Sequence, residues 1–153
     1  MKFTRFRKIA AGTLAAIAVT LLFQTSIARA AERGPLRINF EKCFVEDDGP
    51  FEGHYEGIAT GDFGVGTIRF DFESVFPGDV IWQFSGFYTI TTPRGFIEVF
   101  AEGIDNLRSG SGHDVLNGVV TAGAHRGAQA QVRAQDTHGG ACSEGTITIT
   151  PSR

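Results

Sequence analysis

Lys42 is the residue of this sequence best suited to chemistry, because it is the sole lysine after the first thirty residues and lies among aromatic residues. In the run "NFEKCFVE" it has the same parity as Phe40 and Phe44, so in a strand it shares their inward face. An amine enclosed by rings loses affinity for its proton and can act as a base or as an imine-forming nucleophile. The competing expectation is that its head snorkels to the surface or that a bulge turns it outward, since lysines rarely stay buried. Its expected cross-strand neighbour is Gly53, which leaves room.

A second group is acidic. Asp47 and Asp48, with His113 and His138, fall in loops together with Glu46, Asp79, Asp105 and Asp136. Carboxylates suit calcium and imidazoles suit transition metals. The spacing matches no established ligand motif, and the ordinary behaviour of an acidic protein is to keep such residues in its loops. No metal or other cofactor is therefore expected.

The stretch "SGSGHDVLNG", Ser109 to Gly118, nearly matches the glycine-aspartate nonapeptide of calcium-binding β-helices. It occurs once, and such sites are completed by stacked copies, so it reads as a glycine turn leading into a strand. Glu98 and Glu102 share a strand face that register places outside, and His54 is expected to pair with Asp71 on that outer face. There is no G-x-S-x-G motif, phosphate loop or reactive free cysteine.

The elements that must position these residues begin after an address segment. Residues 1–30 combine a basic start, an apolar run from Ile9 to Phe23 and Ala28-Arg29-Ala30, which reads as a cleaved signal peptide. The expected product, 31–153, is a secreted or periplasmic domain without a membrane anchor. It carries nine basic and seventeen acidic residues, a net charge of −8 that disfavours nucleic acid as a partner.

The remaining chain alternates like a β protein. "IRFDFE" at 68–73 is strictly apolar/polar, and similar runs cover 36–45, 51–60, 80–91, 96–104, 114–121, 128–135 and 142–150. Short turn clusters separate them, giving an all-β, eight-stranded antiparallel up-and-down order. Register can be read from the turns. "GDFG" sets Tyr55 opposite Phe70 and Glu56 opposite Arg69, "PGD" sets Phe72 opposite Phe84 and Ser74 opposite Trp82, and "TPRG" sets Tyr88 opposite Val99. Cys43 and Cys142 then fall on the same outer face at the same end, provided the first and last strands pair. A Cys43–Cys142 disulfide would close the sheet into a single barrel.

Eight strands enclose an interior that side chains fill or that holds one small ligand. Phe44, Phe51, Tyr55, Phe76, Trp82 and Tyr88 are expected to line it, opposite a wall of Ala128, Ala130, Val132 and Ala134. Large residues packed against small ones is the plain expectation, and a cavity on the alanine side is the sharper one. Outside, Phe87, Phe96 and Phe100 form an apolar group suited to self-association.

Secretion, eight strands and Gly110-Ser111-Gly112 entering a late strand together resemble the allene oxide cyclase and dirigent group of barrels, whose G-T-G turn stands before a strand. Gly118 is not at the dirigent spacing, and no active-site signature of the group is found. The resemblance implies trimeric barrels whose apolar cavity serves cyclisation or guided coupling of small molecules. Three functions follow: a barrel that binds a small apolar or aromatic molecule, a cyclase or isomerase acting by shape, and a non-catalytic interaction module with a filled core.

Overall fold

A computed structural model describes residues 34–46, 53–109 and 112–151. The expected signal segment, Phe51, Asp47 and Asp48 lie outside the described residues. The strands are β1 (Leu36–Glu46), β2 (Gly53–Gly61), β3 (Gly66–Phe76), β4 (Ile81–Thr92), β5 (Gly95–Asn106), β6 (His113–Gly123), β7 (Gln129–Thr137) and β8 (Cys142–Thr150). They close into an antiparallel barrel in sequence order, with β1 paired to β8. Among the described residues, two short 3-10 turns lie beyond the strands, Leu107–Ser109 and His138–Gly140.

The closure has the expected cause. Cys43 stands opposite Cys142 in the β1–β8 register, and the two form a disulfide across that seam. The seam runs back to Leu36 opposite Ile149, so no edge is left between the first and last strands.

The registers agree with the sequence at the β2–β3 and β4–β5 turns and depart from it at β1–β2 and β3–β4. Tyr55 faces Phe70, Glu56 faces Arg69 and His54 faces Asp71 across β2–β3; Tyr88 faces Val99 and Ile90 faces Ile97 across β4–β5. At the β3–β4 hairpin, a β-bulge between Phe72 and Ser74 inserts one residue into β3. Phe72 therefore faces Gly86, Ser74 faces Ser85, and Phe84 faces Val75, in place of the expected pairs. One extra residue inverts the faces beyond it. Phe76 is turned outward and is 67% exposed, which corrects its expected place in the lining.

The middle of the barrel is full. Ile38, Ile68, Phe70, Tyr88, Ile90, Ile97, Val99, Leu116, Val132, Ile147 and Ile149 are all buried there. The Phe70 and Tyr88 rings lie with centroids 4.5 Å apart, and Phe84 stands 6.0 Å from Phe70, edge to face. Ala128, Ala130, Val132 and Ala134 are buried on the β7 side, while Gln129, Gln131, Arg133 and Gln135 are exposed. Burial of each large apolar side chain contributes roughly 1.5–3 kcal/mol.

Candidate functional site

Antiparallel order gathers the ends of β1, β3, β5 and β7 with the starts of β2, β4, β6 and β8. At that end the packed core gives way to a cavity of about 210 Å³, lined by Lys42, Tyr55, Trp82, Phe84, Asp105, Leu107, Asp114, Asp136, Gly140 and Ser143. It is smaller than the roughly 300 Å³ at which pockets for drug-sized molecules begin.

Lys42 points inward, as its parity requires, and is 3% exposed. Its cross-strand neighbours are Gly57 on β2 and Ser143 on β8, not the expected Gly53, which pairs with Glu46. A side chain at position 57 would collide with the backbone of Glu41 and Lys42, so glycine is what lets β2 approach β1 there. The Lys42 Nζ lies 3.9 Å from the centre of the Tyr55 ring, 5.0 Å from Phe70, 5.6 Å from Tyr88 and 5.9 Å from Phe40. These faces attract the ammonium and offset part of its lost hydration.

Three carboxylates share the cavity with this single amine, coming from β5 (Asp105), β6 (Asp114) and β7 (Asp136). Asp114 is 6% exposed. Burial pushes its carboxyl up to about 7; Lys42 opposes the shift, and Asp105 and Asp136 reinforce it. Burial likewise brings the Lys42 amine down to about 8, against the pull of Asp114 and Asp136. The Tyr55 hydroxyl is raised to about 12 by burial and then by the three carboxylates, so it stays protonated.

The last glycine of the "SGSG" run and the first residue of β6 serve this cluster. Burial holds the carboxyls of Asp105 and Asp136 above their ordinary value. Asp136 adds to the shift at Asp105 and Lys42 opposes it at Asp136, and backbone hydrogen bonds from His113 to Asp105 and from Gly112 to Asp136 oppose it further. Asp136 N–H in turn donates to the Gly112 carbonyl at 2.9 Å. A methyl at Gly112 would run into the carboxylates of Asp105 and Asp136. Among the described residues, two polar atoms at the site have no partner: Asp105 Oδ1 and Ser143 Oγ. Ser143 is 1% exposed.

Of the residues the sequence singled out, Lys42, Tyr55, Trp82, Asp105 and Asp136 line the cavity. Phe44 is 40% exposed but packs edge to face on Tyr55, ring centres 5.4 Å apart. Tyr88 is fully buried beneath the cavity, its hydroxyl without a partner. His113 and His138 are exposed. Among the described residues, no group of three or more His, Cys, Asp or Glu could hold a metal ion. His54 faces Asp71 in register, yet its Nε2 lies 3.0 Å from Glu56, while Arg69 takes Asp71. Asp114 and Ser143 were missed. Parity could have found both, since Asp114 alternates with Leu116 and Ser143 with Gly145, Ile147 and Ile149.

On the outer face Phe87 and Phe100 pack with ring centres 5.1 Å apart, and Phe96 is 47% exposed nearby on β5.

No family model, curated protein or solved structure matches this chain.

Proposed function

We propose that this protein binds a small single-ring aromatic molecule at the mouth of the barrel, not along its filled axis. One observation carries the reading: a cavity of about 210 Å³ walled by Tyr55, Trp82 and Phe84 has a buried lysine and three aspartates facing into it. Apolar walls with a few convergent polar groups are what a small-molecule site requires. The aromatic rings supply area, and the polar groups fix orientation. Trp82 is the chain's single tryptophan, so its emission reports directly on the pocket. Titration with a neutral single-ring probe such as benzyl alcohol should change that emission saturably. No saturable change up to about 1 mM, an affinity of about 4 kcal/mol, would overturn the reading.

A second reading, an isomerase or cyclase of the allene oxide cyclase or dirigent kind, has one observation of its own. Lys42 and Asp114 line one cavity and titrate near neutrality, at about 8 and about 7. Such a pair can hold one proton-accepting and one proton-donating group at the same pH. Lys42→Met should then abolish turnover of a substrate while leaving the barrel folded. Unchanged turnover would remove the catalytic role.

A further inference from the structure

The polar groups of the cavity are not balanced. Against the one amine of Lys42 stand the carboxylates of Asp105, Asp114 and Asp136, so with all four ionised the pocket carries an excess of two negative charges. The amine itself is turned to ring faces, nearest Tyr55 at 3.9 Å. Among the described residues no carboxylate forms an ion pair with it.

The unpartnered atoms say the same in hydrogen-bond terms. Asp105 Oδ1, when ionised, can only accept. Ser143 Oγ, on a side chain that is 1% exposed, lines the same cavity with no partner and can accept as well as donate. Ser143 stands opposite Lys42 on one side and Asp136 on the other, so its hydroxyl belongs to the cluster and not to a distant turn. A carboxylate oxygen and a buried hydroxyl without partners, beside two further carboxylates, suit a ligand group rich in N–H and carrying positive charge. Burial raises the carboxyls of Asp105, Asp114 and Asp136, and the single amine of Lys42 opposes the shift at Asp114 and Asp136 without cancelling it.

A bare metal ion fits poorly, because among the described residues no three His, Cys, Asp or Glu side chains stand close enough together to hold one, although three aspartates line the cavity. A primary ammonium fits well. It has three donors and no acceptor, needs no fixed coordination geometry, and can be carried on a ring that rests against Trp82 and Phe84. Resting on the aromatic-binding reading above, we infer that the pocket selects small aromatic amines, the ammonium lying among Asp105, Asp114, Asp136 and Ser143.

Four probes test this on the intact protein by calorimetry and Trp82 emission: benzylamine, benzyl alcohol, benzoate and methylammonium. Benzylamine should bind at least about tenfold more tightly than benzyl alcohol, with benzoate weakest, since each charge-assisted hydrogen bond is worth about that factor or more. Asp114→Asn should weaken benzylamine by about tenfold and leave benzyl alcohol unchanged; if that variant does not fold, Ser143→Ala should show the same selective loss at smaller size. Benzyl alcohol binding as tightly as benzylamine, or benzoate binding best, overturns the amine inference and leaves the aromatic pocket standing. Methylammonium matching benzylamine, with no binding of benzyl alcohol, keeps the ammonium site and removes the aromatic reading. Binding of none of the four overturns both.

Discussion

Replacing Asp114 by Asn should change how the stability of the barrel depends on pH. Asp114 is buried, and its carboxyl titrates at about 7 in the folded chain against 3.8 as its ordinary value. Below pH 3.8 both states hold the proton. Between 3.8 and about 7 the unfolded chain releases it and the folded chain keeps it, so stability is lost as pH rises through that window. The gap is about three pH units, worth roughly 4 kcal/mol at 1.36 kcal/mol per unit. Asn has no proton to lose and lacks this slope. The variant also lacks the attraction of ionised Asp114 for Lys42, whose amine then falls further below about 8 and returns part of the gain. A net relative stabilisation of about 2 kcal/mol at pH 8 over pH 4 remains. Urea unfolding of both proteins at pH 4, 5.5, 7 and 8, with the disulfide intact, reads the difference directly. A difference that stays constant across these pH values would refute the buried placement of Asp114 and with it the electrostatics of the pocket.

Other outcomes follow from the same structure. Tyr88→Phe removes a buried hydroxyl that has no partner, so stability should hold or rise by about 1 kcal/mol; a clear loss in urea unfolding would mean the hydroxyl is bonded. Serine at both Cys43 and Cys142 opens a bridge between residues 99 apart and should cost about 4–5 kcal/mol in the chain-entropy account, read as a lower urea midpoint. Phe87, Phe96 and Phe100 should drive self-association, which Phe100→Ser weakens in sedimentation velocity; a monomeric parent protein at the same concentrations would contradict this.

The barrel was legible because alternation and turn residues repeat the same message strand by strand. Tyr55 opposite Phe70 and Tyr88 opposite Val99 both follow from counting outward from a tight turn. The count fails where β3 carries an extra residue between Phe72 and Ser74, since a bulge leaves no mark on hydrophobic alternation; that displaced Phe76. The candidate site was half legible. Lys42 stood out as a charge in an aromatic phase, and Tyr55 and Trp82 came with it. Asp114 obeyed the same parity but lay beside a glycine turn, where an aspartate has an ordinary reason to be. That Asp105, Asp114 and Asp136 line one cavity is a property of three strands wrapped side by side, which no local pattern contains.

Lys42 precedes Cys43 in the chain, and Ser143 follows Cys142. The covalent clasp of the barrel and the two strand positions that put an amine and a hydroxyl into the cavity are thus one construction.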